Sequence, residues 1–414
     1  MKINQKDTQI SPFRVYVTLS VVMIVLSCFF LAKNRGMYLD SLIDYQGNDR
    51  FMDFFNHISY TMNNGLNHVY EANVNACFPP LSYLFYYFCG LILPDGSTVM
   101  LSAADTSAYA MLLFCVRCVV LAILFYAAIA LQTKNGRMTL VISLLIVLSN
   151  VFIFRTLERG NPAWLVCIML MAAMGLRNSE NRAAREMALI LIAVAAGFKI
   201  YPAFFGLLYL AEKRWKEAIR LVVYGILFFF VPFAFCGGIG GLQQFFNNTV
   251  EIQSTHGSSI GNYWHFSGVL QGITKSGFPF YPILTVLLTL LSTVGVFLLK
   301  EQWKKQLLLC GLMILTPKWS GGYTMCYAAI PLVAFLTENK GSRGDLLRAG
   351  LFALVFSLLI FRANQGIPVL NMQLPDAIVY TAFWLLMLSA HVETVVCTVR
   401  KFRGRRLAEQ GSNG

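Results

Sequence analysis

Charge is what this sequence has least of. Of 414 residues only 13% are charged while 57% are hydrophobic, and the mean hydropathy is +0.60. Many apolar runs approach membrane-spanning length, which excludes an ordinary soluble domain and predicts an all-α, polytopic integral membrane protein. Cysteine pattern is also missing. The ten cysteines are scattered singly, mostly in apolar runs (Cys28, Cys89, Cys167, Cys310, Cys397), so they read as small packing residues and not as a disulfide framework. Cys115 and Cys118 form a C-x-x-C without a second ligand pair. There is no H-E-x-x-H, and of the five histidines only His391 lies in an apolar segment; no metal or other cofactor is expected. No P-loop, no Rossmann glycine run and no Asp-x-Asp pair occurs, which argues against a nucleotide site and against a metal-bound nucleotide sugar. Internal repeats and low-complexity tracts are absent too.

What is present is basic. The net charge is +13, yet the lysines and arginines sit in short loops between apolar runs, at 134–137, 177–185, 213–220, 300–305, 340–348 and 400–406. That is the pattern of cytoplasmic loops in a membrane protein, not of a nucleic-acid surface. Lys2, Lys6 and Arg14 place the N-terminus inside, and the run Val15–Ala32, which lacks a small-residue cleavage site, reads as a retained first helix. The loop 33–78 is then outside, with five of the chain's 20 acidic residues: Asp40, Asp44, Asp49, Asp53 and Glu71. About 10–12 apolar segments are expected in one transmembrane domain, with a core at 13–236, accessory helices at 280–397 and a basic cytoplasmic tail at 398–414. Both termini fall inside, and the loops 33–78 and 237–279 outside. One conflict arises: the loops flanking segment 187–211 are both basic, although one crossing would separate them. Gly197 and Pro202 suggest instead a broken hairpin that enters and returns, a shape tolerated at membrane depth only when buried in protein or lining a wet cavity. The proline-led segment 79–93 is expected to re-enter likewise, which would put 158–162 outside.

The polar stretch 49–80 is too long for an idle connection, since loops beyond about 12–15 residues are usually functional or disordered, and its aromatics oppose disorder. Within it Asp53 precedes Phe54 and Phe55, a setting expected to desolvate the carboxylate, raise its pKa and make it a general base. Asp49 is beside Arg50, and Asp40 and Asp44 suit turns. Further along, Arg159 and Asn161 flank Gly160 at a helix start marked by Pro162, where free amides and a guanidinium suit a phosphate; an ordinary helix–helix turn explains them as well. Lys199, followed by Tyr201 and Pro202, is a cation inside an apolar segment and therefore a functional candidate, unless it snorkels to an interface. Lys318, in Thr-Pro-Lys-Trp-Ser, is a second cation between apolar runs. His265 follows Tyr263 and Trp264, which an interfacial aromatic belt would also place there. An external carboxylate with cations near apolar grooves fits a phosphate carried on a lipid.

Asp53 with Gly65, Tyr70 and Phe78-Pro79-Pro80, then Arg159-Gly160-Asn161, then Lys199-Ile200-Tyr201-Pro202 before Arg214-Trp215, resembles glycosyltransferase family 87, polyprenyl-phosphate-dependent membrane mannosyltransferases of GT-C type. The Arg-Gly-Asn and Phe-Lys-Ile-Tyr-Pro runs also resemble the eukaryotic enzymes that add the first mannose to glycolipid anchors. The resemblance implies inverting, metal-independent transfer of a sugar, usually mannose, from a polyprenyl-phosphate donor to a lipid or glycan hydroxyl at the outer face of the cell membrane. The family's catalytic acid maps onto Asp53, with Arg159, Asn161, Lys199, Tyr201, His265 and Lys318 left for the donor phosphate and substrate. Many members carry Gly-Gln-x-Asn where this chain has Arg-Gly-Asn-Pro. Expected partners are membrane lipids, the lipid-linked sugar and the acceptor, with no nucleic acid. A lipid-linked sugar flippase or exporter is the alternative; transporters often show paired interrupted segments in two halves, and one interrupted segment is found here. A polysaccharide ligase or polymerase is a third reading.

Overall fold

The computed structural model describes residues 11–33, 51–93, 107–256, 281–317, 320–338, 341–360 and 374–412. The described residues form helices and connecting turns, without strands. In chain order these are α1 (Pro12–Lys33), α2 (Met52–Asn64), α3 (Pro80–Leu91), α4 (Ala108–Thr133) and α5 (Gly136–Val147), the last followed by a π-helical turn, Val151–Leu157. Next come α6 (Ala163–Leu176), α7 (Arg182–Phe198), a 3-10 turn at Tyr201–Phe205, α8 (Gly206–Ala211), α9 (Trp215–Phe230) and α10 (Gly238–His256). The C-terminal part holds α11 (Tyr281–Leu298), α12 (Gln302–Leu315), α13 (Ala329–Glu338), α14 (Arg343–Val355) and α15 (Leu374–Ser412). Among the described residues four helical stretches, at 12–33, 108–133, 215–235 and 374–403, are long and apolar enough to cross a membrane; α5 and its π turn, bent by 62° between them, meet the same test only when taken together. The protein is a polytopic membrane protein.

The contacts define two ends. At one end the basic loops converge. Arg177 pairs with Glu212, and Arg214 donates to the Arg177 carbonyl at 2.9 Å. Gln302 reaches Glu212 at 3.1 Å, Lys304 binds Glu393 at 2.7 Å, and the Arg348 guanidinium lies over Trp303 at 5.5 Å. At the opposite end Arg155 grips Asp376 at 2.6 Å, at the start of α15, and α2, α3 and α10 gather there. From the basic end α12 runs inward, buried on every side from Trp303 to Leu315 and apolar from Leu307 onward.

The expected hairpin is present. Helix α7 runs away from the basic end, breaks at Lys199, and the 3-10 turn and α8 return to Glu212, so the loops on either side meet. The break has a local cause. Pro202 has no N–H to offer the Phe198 carbonyl four residues earlier, and the Ser82 hydroxyl donates to that carbonyl instead, at 2.8 Å. Gly197 lets α9 come close: a Cβ there would meet the Phe228 carbonyl oxygen at 2.8 Å. Helix α3, at 12 residues, is shorter than a membrane span. Its first half packs Tyr83 with Tyr70 and Phe233, and its second half packs Tyr86 and Cys89 with Phe54, Phe55 and Phe114, both clusters belonging to the end opposite the basic loops.

Single cysteines replacing Asn178 and Lys213 in a cysteine-free background should react with an impermeant reagent from one side of the membrane, and one replacing Glu71 from the other. Reaction of 178 and 213 from opposite sides would turn the hairpin into a single crossing.

Candidate functional site

Asp53 occupies the first turn of α2, and the chain enters that helix through Phe51 in a left-handed conformation, φ 62°. The Phe51 N–H donates to the Glu158 carbonyl at 2.7 Å, which ties the start of α2 to the turn after α5. In that turn Gly160 has φ +67°, and a Cβ would stand 2.9 Å from the Phe54 Cβ and 3.2 Å from the Phe51 carbonyl oxygen. Only glycine meets both demands, the positive φ and the close approach. With the chain so reversed, the residues on either side of Gly160 hold one carboxylate. Arg159 donates through Nε to Asp53 Oδ1 at 2.9 Å and through Nη2 to the same oxygen. Asn161 Nδ2 donates to Oδ2 at 2.6 Å, while its own Oδ1 accepts from the Ala163 N–H at 3.0 Å and caps α6. The side chains of Arg159 and Asp53 retain 12% and 15% of their exposure, so the pair is enclosed but not sealed.

The expectation of a raised Asp53 pKa is corrected here. Burial does push it up, but the Arg159 guanidinium and the Arg159 and Asn161 hydrogen bonds outweigh burial and hold the carboxyl below its usual range. The group is an ionised carboxylate at neutral pH.

One turn on, His57 lies on the same face of α2 as Asp53. Its ring is 4.3 Å from the Phe78 ring and stacks on Tyr86 at 5.2 Å. On Phe78 also rests the Lys199 ammonium, 4.8 Å from the ring centroid, and 5.0 Å from the Tyr323 ring. Asp53, His57, Phe78 and Lys199 thus form a continuous series, carboxylate at one end and ammonium at the other. Burial, and then the Lys199 and Arg159 charges, depress the His57 pKa to about 4 against the opposing pull of Asp53, so the ring is neutral. The ammonium borders a cleft lined by Cys77, Phe78, Tyr201, Thr249 and Tyr323, which continues along Tyr201, Phe204 and Leu207 to Pro317.

Of the residues expected from sequence, the fold therefore unites Asp53, Arg159 and Asn161 directly, and Lys199 and Tyr201 one layer of rings away. His265 and Lys318 lie outside the described residues, as do Asp40, Asp44 and Asp49. Three contributors went unnoticed in the sequence. His57 had only its i, i+4 spacing from Asp53 to betray it. Arg117, on α4, lies over the Phe54 ring at 5.0 Å and donates to the Asn161 carbonyl at 3.3 Å. Asn248, on α10, donates to the carbonyls of Tyr70, Asn73 and Ala76 at 2.9, 3.2 and 3.0 Å, and so shapes the loop that delivers Phe78.

The sequence profile of glycosyltransferase family 87 matches residues 77–317, more than half of the chain. The chain belongs to glycosyltransferase family 87. Among curated proteins none matches it at a significant level. The family 87 match contains Arg159, Asn161, Lys199, Tyr201 and His265 but begins downstream of Asp53, so the case for Asp53 rests on its contacts with Arg159 and Asn161. As a family 87 member the protein is a membrane glycosyltransferase.

Gly160→Ala should dismantle this site. A left-handed non-glycine residue costs about 1–2 kcal/mol, and the contact with Phe54 adds to it, so the melting temperature in detergent should fall and transfer should be lost. Unchanged melting and activity in the Gly160→Ala protein would show that the close approach is not needed.

Proposed function

We propose that this glycosyltransferase moves a sugar, mannose by preference, from a polyprenyl-phosphate donor to a hydroxyl of a lipid or glycan acceptor on the extracytoplasmic face, with Asp53 as general base. Supporting this reading is the ionised, partly open Asp53 carboxylate set one layer of rings from the buried Lys199 ammonium. A carboxylate oxygen has two acceptor directions. Oδ1 is taken up by Arg159 and Oδ2 by Asn161, which leaves Oδ2 a direction for the acceptor O–H. In the reaction that hydrogen passes to Asp53, the acceptor oxygen bonds to the sugar's anomeric carbon, and the bond from that carbon to the phosphate oxygen breaks. Attack opposite the leaving group inverts the anomeric centre. Lys199 meets the growing charge on the departing phosphate, where an ammonium in dry surroundings acts strongly. Arg159, committed to Asp53, acts as a positioning residue, and any part for it on the donor phosphate requires that pair to open. The low Asp53 pKa makes it a weak equilibrium base, so its effect comes from being always ionised and held in place. The basic loops gathered at the opposite end support the extracytoplasmic placement, since loops rich in Lys and Arg favour the cytoplasmic side.

Asp53→Asn should cut transfer from radiolabelled polyprenyl-phosphate mannose by about 10²–10⁴-fold. Breaking an enclosed ion pair on one side costs about 3–5 kcal/mol, so the Asp53→Asn/Arg159→Gln protein, which leaves no unmatched charge, serves as the folded control and should be equally inactive. Transfer surviving in that double variant would remove Asp53 from the mechanism. Lys199→Met should weaken donor binding about ten- to a hundredfold, the worth of a charge-assisted contact; unchanged donor affinity would leave Lys199 a packing residue.

Because Asp53 is already ionised and His57 already neutral, kcat/KM should stay flat from about pH 5.5 to 7 and fall toward the carboxylate range and below. An acid limb near pH 6–7 that vanishes in Asp53→Asn would mean that the carboxyl titrates high.

A further inference from the structure

At the basic end, about 25 Å from Lys199 along the 17 residues of α7, lies a groove that shares no residue with the reacting centre. It is about 510 Å³ in volume and is lined by Arg182, Arg185 and Glu186 of α7 and by Lys216, Ile219 and Arg220 of α9. Four cations thus face one carboxylate, and that carboxylate is already engaged on both oxygens: Glu186 Oε2 receives Arg220 Nη1 and Oε1 receives the Tyr224 hydroxyl at 2.6 Å. Arg185 is partly occupied, donating to the carbonyls of Ser179 and Glu180 at 2.8 and 2.9 Å and lying 3.9 Å from Glu217. Arg182 and Lys216 are exposed, and neither side chain has an ion pair among the described residues.

Charge of this kind at a cytoplasmic loop needs no ligand, because positive-inside placement alone produces it. The floor of the groove is what distinguishes it. Ile219 is 65% exposed, and Val222 and Ile226 continue from it at 62% and 53%, a stripe running down one of the helices long and apolar enough to cross a membrane. Trp215 stands exposed at the top of that stripe, the interfacial position favoured by indoles. A free anion would use the cations and leave the stripe untouched; a lipid uses both. Basic pockets between membrane helices on the cytoplasmic side suit anionic headgroups.

We infer that this groove holds the headgroup of an anionic phospholipid, its phosphate diester between Arg182 and Lys216 and an acyl chain along Ile219, Val222 and Ile226. The occupant is a phosphate bound through charge-assisted hydrogen bonds and retained through apolar burial of its tail.

Native mass spectrometry of the full-length protein, exchanged into equal amounts of phosphatidylglycerol and phosphatidylcholine of the same chain length, tests this. Phosphatidylglycerol should be retained preferentially, and the Arg182→Gln/Lys216→Gln protein should lose that preference by roughly tenfold or more, as for the loss of a charge-assisted contact. Lys134→Gln/Arg137→Gln, which removes the same charge elsewhere at that end, should keep it. Inorganic phosphate at millimolar concentration should not displace the lipid. Equal retention of the two lipids, an equal loss in both double variants, no loss in Arg182→Gln/Lys216→Gln, or displacement by inorganic phosphate would each overturn the assignment.

Discussion

The bond between Asp53 and Arg159 is the contact on which the far end of the molecule depends. Each partner would be costly to enclose alone, and together they are stable only because Asn161 supplies a further donor to the carboxylate and the geometry matches. Satisfying that pair dictates much of what surrounds it. The start of α2 must touch the turn after the π-helical segment, which requires Gly160 and is secured by the hydrogen bond from Phe51 to Glu158. Phe54, Phe55 and Phe114 then close over the junction, lowering the local dielectric and strengthening the electrostatics they enclose.

Irregular backbone recurs around this site. The π-helical turn at 151–157, the left-handed Phe51 and Gly160, and the break at Lys199 all lie at the same end. In an apolar environment each freed carbonyl or amide needs a partner, and the partners are identifiable. Ser82 takes the Phe198 carbonyl, Asn161 takes the Ala163 amide, and Asn248 takes three carbonyls of the loop before Phe78. Polar side chains that look incidental in an apolar sequence are thus the supports of the non-helical turns. The basic end is joined by ion pairs among Arg177, Glu212, Arg214, Glu217, Glu301 and Lys304, with left-handed turns at Lys134 and Lys213.

This division of labour suits a membrane glycosyltransferase. One end is fastened by charge. The other trades regularity for an enclosed site in which a carboxylate and an ammonium stand apart, separated by His57 and Phe78. Asp53 pairs with Arg159 and not with Lys199, so the two opposite charges do not meet.

Class, helical content and the clustering of basic loops were legible in the amino-acid order, because hydropathy and loop charge act locally and do not depend on what packs against what. The hairpin at 187–211 was legible for the same reason: two basic loops cannot lie on opposite sides without violating the charge rule, and Pro202 marks the break. Lys199 was recognisable as a cation inside an apolar segment, Asp53 as a carboxylate before two phenylalanines in a polar stretch, and Arg159 and Asn161 as polar residues at a helix start. Their meeting was not, since more than a hundred residues separate Asp53 from Arg159 and only the packing of α2 against the Gly160 turn joins them. The protonation state of Asp53 was misjudged from sequence for that reason: the neighbouring phenylalanines foretold burial, while the guanidinium that overrides burial arrives from a distant part of the chain. His57 and Asn248 carry no pattern beyond the spacing of His57 from Asp53, whereas Arg117, a cation inside an apolar run as Lys199 is, carries the same signal. A pKa, a cation stacked on a ring or a clamp on three carbonyls is a property of neighbours in space, and those neighbours exist only once the helices have packed.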